Sequence, residues 1–301
     1  MGAFELGIVM PVGQFGPQRS TAGWPDLRRM AAMAEAAGFD TIWTPDELLW
    51  RADDGPPQGY WDGISMAGAV AAVTSRAKVG TWVMSALHRN PGIIAKAAET
   101  LDEISGGRFV FGLGAGHEWP GQARAFGLPE DRIFARFEEA LQVIIPLLRE
   151  GRADFEGTFH AARELLQAPR GPRPGAIPLL IGGNGPRGQR HAVRHADIWS
   201  GYVEARAHVD EIGPRIASLE AICAEEGRDP ATIGRSIGVV VNPLLPAGQR
   251  PHAVSGSPAE IADALRSFAG AGYTQVEIMP NPGTIEVFEA LAPVVELIEG
   301  P

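Results

Sequence analysis

Apolar residues along the chain fall into two alternating spacings. Short runs at 4–10, 41–44, 79–83, 109–113, 179–181, 198–200, 237–241 and 275–279 carry the near-continuous apolar character of strands covered on both faces. Between them the spacing changes to three and four residues. Leu27, Met30, Ala31 and Ala34 mark a helix opened by Trp24-Pro25-Asp26 and closed by Gly38. The same spacing predicts helices over 64–73, 93–104, 133–148, 188–195, 209–225, 258–271 and 284–298. Ser257-Pro258-Ala259-Glu260 supplies a capping box with proline at the first helical position.

One stretch, LDEISGGRFVFGLGAGHE at 101–118, joins a helix end, a strand and a glycine-rich turn without a spare residue. Gly106-Gly107 supplies a left-handed stop, and Phe109, Val110, Phe111 and Leu113 form the strand. Gly112, Gly114 and Gly116 alternate as that strand ends, which is expected to let backbone approach a ligand closely. His117 and Glu118 then place titratable groups beside the opening.

Eight strands alternating with eight helices imply a parallel sheet, and eight such units close into a (β/α)8 TIM barrel in the α/β class. A doubly wound sheet is the competitor, but no G-x-G-x-x-G follows the first strand. The whole chain, 1–301, reads as one barrel domain, because α/β barrels commonly run to about 250 residues as a single unit. The Pro-, Gly- and Arg-rich segment 150–177 reads as an irregular loop excursion.

Charge and cysteine content narrow the function. A net charge of −10 argues against nucleic acid and anionic membrane surfaces. The one cysteine, Cys223, leaves no disulfide or Cys-based metal pattern, so a reducing, cytoplasmic setting is expected. No run approaches the roughly 18 apolar residues of a membrane span. The seven histidines are read as scattered, with no pair on one helical face, and no metal site is expected.

In a barrel the chemistry sits where the strands end. Those positions offer Asp46, Glu47, Trp82, Val83, Gly114, Gly116 and Gly182 to Asn184, a set richer in glycine, aromatic and amide groups than in nucleophiles. Such a set suits a flat organic cofactor. In GGNGPRG, 182–188, free amides at a helix start with Arg187 beside them make a phosphate site, with Gly182, Gly183 and Asn184 in the turn.

TLDEISGGRFVFGLGAG at 100–116 resembles the signature segment of the bacterial-luciferase-like oxidoreductases, flavin monooxygenases and F420-dependent dehydrogenases and reductases. GFDTIWTPDE at 38–47, RNPGIIAKAAETLDEISGGR at 89–108, PLLIGGNGPRGQRHAVRHADIW at 178–199 and GSPAEIADALRSFAGAGY at 256–273 follow in the family's order. The resemblance implies coenzyme F420 or FMN, its phosphate on the 182–188 loop. It implies a non-proline cis bond at Trp82-Val83 behind the ring, and in Asn90 an amide that bonds the cofactor.

Asp46-Glu47 falls where many F420-dependent relatives carry Asp-His, and His117 where some carry a catalytic glutamate, so His117, Glu118, Asp46 and Glu47 are the candidates for proton transfer. His88 and Arg89 are expected to form a solvated helix entry. Arg170, Arg173, Arg187 and Arg190 are expected to gather where the anionic tail of F420 would run, which favours F420 over FMN. The reading is hydride transfer with F420 to or from a small organic substrate, in a homodimer. The alternatives are an FMN-dependent monooxygenase and a flavin- or deazaflavin-binding protein with little turnover.

Overall fold

Eight parallel strands pair in sequence and the ring closes between the fourth and fifth. They are β1 (Glu5–Val9), β2 (Thr41–Thr44), β3 (Lys78–Thr81), β4 (Phe109–Gly114), β5 (Leu179–Gly182), β6 (Ile198–Tyr202), β7 (Gly234–Asn242) and β8 (Gln275–Pro280). This computed structural model describes residues 4–14, 21–50, 56–116, 122–202, 213–249 and 253–300. The helices around the ring are α1 (Trp24–Ala37), α2 (Gly63–Val73), α3 (Pro91–Ser105), α4 (Gln122–Phe126), α5 (Ile133–Glu150), α6 (Pro186–His195), α7 (Gly213–Glu226), α8 (Pro258–Gly270) and α9 (Ile285–Glu299).

The ends of these helices follow their sequence signals. Gly38 and Gly106 adopt φ of 103° and 66° and close α1 and α3 by donating to carbonyls of the last turn. Ser257 and Glu260 exchange the two hydrogen bonds of a capping box at α8. The main core lies between strands and helices, where Leu27, Ile42, Ile94, Phe109, Phe111, Leu265 and Ile278 are buried.

Two indoles fill the inside of the ring. Trp43 on β2 covers Gly80 on β3, where a Cβ would meet its ring at 2.2 Å. Trp82, just past β3, crosses to β7, where a Cβ on Gly238 would meet its ring at 2.3 Å. Small residues on neighbouring and facing strands are thus the counterpart of large ones, which is how a barrel interior fills to crystal-like density.

Segment 150–177 departs from the sequence reading. It contains an antiparallel pair, Arg152–Glu156 with Ala161–Leu166, packed through Ala153, Ala162, Phe155 and Leu165 on Ala95, Val143 and Leu147 of α3 and α5. A register shift between Ala153 and Phe155 and a positive φ at Glu164 break the two-residue alternation that would have marked these strands.

Candidate functional site

The C-terminal rim of the ring brings several predicted residues together. The Trp82–Val83 peptide bond is cis, as the resemblance implied. Trp82 Nε1–H donates to Ser200 Oγ on β6 at 2.9 Å, and its ring meets Tyr202 edge to face with centroids 6.3 Å apart. Val83 points the other way, toward β4 and β5.

Val83 also corrects the reading of the glycines. A Cβ on Gly114 would lie 2.7 Å from Val83, one on Gly182 would lie 3.3 Å from it, and one on Gly116 would meet Leu87 and Ser85 at 2.7 Å. The strand-end glycines therefore admit Val83 and Leu87 rather than a ligand, and Val83 becomes the apolar wall they frame. Gly183 likewise faces protein, since a Cβ there would lie 3.1 Å from Gly188 Cα.

The start of α6 keeps its donors. Gly185 is its N-cap with no side-chain capping bond, and a Cβ at that position would meet nothing within 4 Å. Asn184 is held in place, its amide donating to Tyr202 O at 3.2 Å and its carbonyl accepting from Tyr202 N at 2.9 Å and Arg215 at 3.1 Å. An uncapped helix start beside an apolar wall presents partial positive charge to an anion. Arg187, in the first turn of α6, is paired with Glu138 at 2.8 Å and stacked on Phe134.

The other arginines correct the tail argument. Arg173 bonds Asp102 and the Phe109 carbonyl, at the opposite end of β4 from the rim. Arg170 is held between Glu99 of α3 and the Leu148 carbonyl of α5, and Arg190 pairs with Glu225 and Glu226. None of these three faces the rim. Each was drawn to an acidic partner elsewhere in the helical layer, a pairing that spacing along the chain does not reveal.

Asp46 is buried, and both its oxygens are taken. Arg89 donates at 2.6 and 2.9 Å and the Ser85 amide at 2.9 Å, while Arg89 also reaches Asp62 at 2.9 Å. His88 is buried beside it, Nδ1 3.5 Å from Asp46 and Nε2 3.2 Å from Gln122 Nε2. Because Gln122 can only donate there, the hydrogen-bond network assigns the imidazole proton to Nδ1, facing Asp46. His88 and Arg89 are thus built into the floor of this corner and are not a solvated helix entry. Glu47 is half-buried near Tyr60, whose hydroxyl is pushed upward in pKa by burial and then by the Glu47 charge. Asn90 caps α3 through its carbonyl, accepting from Gly92 N at 2.8 Å. His117 and Glu118 lie outside the described residues.

The histidines are less scattered than the sequence reading took them to be. His191 and His195 stand one turn apart on α6 and line a cleft of about 320 Å³ with Glu138, which is 3.2 Å from His191. Among the described residues no group of three or more His, Cys, Asp or Glu comes together as a metal site.

The sequence reading passed over Glu277, in the middle of β8. It is fully buried inside the ring, accepting from Trp43 Nε1 at 2.5 Å and from Ser236 Oγ at 3.0 Å. Burial pushes its carboxyl up to about 8 against the pull of those two bonds. The signal was a lone carboxylate inside an apolar strand, QVEIMP, opposite the glycine of ELGIV: a Cβ on Gly7 would lie 1.7 Å from Glu277 Oε2.

Comparison with known proteins bears on the family and the fold. The model of the luciferase-like monooxygenase family matches residues 4–243. An F420-dependent glucose-6-phosphate dehydrogenase of Kineococcus radiotolerans is 33% identical over 204 residues, 66% of this chain and 56% of that one. One of Nocardia farcinica is 28% identical over 259 residues, 80% and 70% of the two chains. The chain thus spans little more than half the length of the first of these relatives. An F420-dependent secondary alcohol dehydrogenase superposes with a TM-score of 0.80 at 17% identity over 99% of both chains, which bears on the fold. A coenzyme F420-dependent tetrahydromethanopterin reductase of Methanopyrus kandleri does so at 0.76 and 19% over 98% of both. The chain belongs to the luciferase-like monooxygenase family.

Proposed function

We propose that the chain is an F420-dependent oxidoreductase that passes hydride to or from a small organic substrate. The observation that carries this reading is the juxtaposition, across Gly182, of the apolar Trp82–Val83 wall with the uncapped start of α6. A flat apolar ring fits the first and an anionic phosphate the second. The tricyclic cofactor would supply the two-electron chemistry; the protein supplies placement. Val83 and Trp82 back the ring, the amides at the start of α6 hold the phosphate, and Arg187 joins them once it leaves Glu138.

The preference for F420 over FMN rests on the F420-dependent relatives, because the arginine cluster no longer supports it. His117, Glu118 and Glu47 are the proposed proton-transfer groups. Asp46 is proposed to orient His88 and Arg89 in the corner next to Glu47. Glu47 stands where many F420-dependent relatives have histidine, and its charge disfavours an anionic sugar phosphate at that corner, which favours a neutral substrate such as an alcohol or carbonyl compound. A homodimer belongs to the same proposal, and sedimentation measures it.

The test is turnover. Oxidised F420 with a panel of small alcohols, or reduced F420 with the matching carbonyl compounds, should show a protein-dependent change of the deazaflavin band. A change with reduced FMN and dioxygen, and none with F420, would replace this reading by a monooxygenase.

A further inference from the structure

Beneath the candidate ring wall, one line of hydrogen bonds runs down the inside of the barrel. Trp82 Nε1 is 2.9 Å from Ser200 Oγ, Ser200 Oγ is 3.3 Å from Ser236 Oγ, and Ser236 Oγ is 3.0 Å from Glu277 Oε1. Ser200, Ser236 and Glu277 are buried, on the neighbouring strands β6, β7 and β8. The other carboxyl oxygen of Glu277 is 2.5 Å from Trp43 Nε1.

An indole N–H only donates, whereas a hydroxyl both donates and accepts. With Glu277 ionised, every group in the line can donate toward it: Trp82 to Ser200, Ser200 to Ser236, Ser236 to the carboxylate. With Glu277 neutral, its own O–H has one acceptor within the line, Ser236 Oγ, because Trp43 cannot accept. Ser236 must then donate to Ser200. Ser200 is left with a proton that neither Ser236 nor Trp82 accepts. The line thus has two directions, and Glu277 selects between them.

We propose that Glu277 is a positioning residue whose proton sets the direction of the Ser236–Ser200 hydroxyls, so that Ser200 offers a hydrogen-bond donor beneath the ring site only while Glu277 is neutral. The part concerning the ring rests on the function proposed above; the two-way line does not.

The surroundings favour the neutral acid. Glu5 on β1 and Asp40 before β2 add negative charge, while Lys78 on β3, 2.5 Å from Glu5, and Arg108 and Arg173 are the cations lining this end of the ring. No ion pair among the described residues includes Glu277. A cavity of about 310 Å³ at the N-terminal ends of the strands is lined by Glu5, Trp43, Lys78, Arg108 and Gln275 and reaches Trp43, the second partner of Glu277.

The experiment has two readouts. In ligand-free protein, tryptophan fluorescence and near-ultraviolet dichroism are followed from pH 6 to 10. One proton step is expected in the wild type. Glu277→Gln, whose amide donates to Ser236 and accepts from Trp43, should show no step and should match the wild type at pH 6 throughout. Ser236→Ala removes a bond that favours the ionised carboxyl, so its step should move to higher pH. No step in the wild type, a step retained in Glu277→Gln, or an unmoved step in Ser236→Ala would each overturn the proposal; the last keeps the test decisive should the Gln variant fail to fold.

In the second readout the affinity of F420 is measured across the same range. It should change by about fivefold, the worth of one neutral hydrogen bond, in the wild type, and stay constant in Glu277→Gln and Ser200→Ala. Constant wild-type affinity across a visible step would refute the link between Glu277 and the ring. Failure of F420 to bind at any pH would refute the cofactor reading, while the ligand-free titration still decides the two-way line.

Discussion

Built on either Gly183 or Gly188, a Cβ would lie 3.1 Å from the other residue's Cα, so the end of β5 and the first turn of α6 meet backbone to backbone. Gly183, with φ at 157°, therefore serves the packing of α6, and a side chain there would disturb the helix before it disturbed a ligand. Gly185, two residues on, has open space around it, which makes it the better probe of a phosphate site.

Gly185→Asp separates helix stability from anion binding. Its φ of −95° and ψ of 164° suit a capping aspartate, so thermal stability should hold or rise. The same carboxylate would occupy the amides and repel a phosphate. F420 and FMN binding should weaken more than about tenfold, while riboflavin should bind as before. Calorimetric titration of the three ligands checks this, and equal losses for FMN and riboflavin would remove the phosphate assignment.

Arg187 is committed to Glu138 in an exposed pair, and such pairs contribute about 0 to 1 kcal/mol. A phosphate would offer it a stronger charge-assisted partner. Arg187→Ala should weaken FMN or F420 by about tenfold. Glu138→Gln should strengthen binding by up to about fivefold, because the arginine no longer has to leave a carboxylate. A Glu138→Gln variant that binds less tightly would place Arg187 outside the site.

Asp46→Asn should act first on stability. It leaves Arg89 with one fewer charged partner in a largely buried corner, a loss of about 3 kcal/mol. Thermal unfolding reads this directly. Unchanged stability with lost activity would return Asp46 to the proton-transfer candidates.

Glu277 gives the protein a pH dependence of definite sign. Its carboxyl sits at about 8 when folded against the ordinary 4.5, so between those values the folded state holds a proton that the unfolded chain has released. The stabilisation is complete below pH 4.5 and is lost as pH rises through about 8. Urea unfolding of the wild type should therefore show falling stability over this window, and Glu277→Gln should flatten it.

Much of the architecture was legible because the barrel repeats one rule. Apolar runs mark strands, three- and four-residue spacing marks helices, and Gly38, Gly106 and the Ser257 capping box mark ends that the structure places within a few residues. The site was legible only in outline. GGNGPRG pointed to the turn that opens α6 as a candidate, and the resemblance implied the cis bond at Trp82–Val83. What failed was pairing across distance: the partners of Arg170 and Arg173 are some 70 residues away, and the space beside Gly114 belongs to Val83, in the turn after β3. Glu277 was hidden for the same reason, since only the closed ring brings Gly7, Trp43 and Ser236 around it.

The proposed function requires that the rim of this barrel hold a deazaflavin. Parallel titration of F420 and FMN into ligand-free protein, followed by quenching of tryptophan fluorescence, tests it most directly. Saturable binding of F420, tighter than that of FMN and weakened by Gly185→Asp, is expected. Saturable binding of FMN with none of F420, or binding of F420 indifferent to Gly185→Asp, would contradict it.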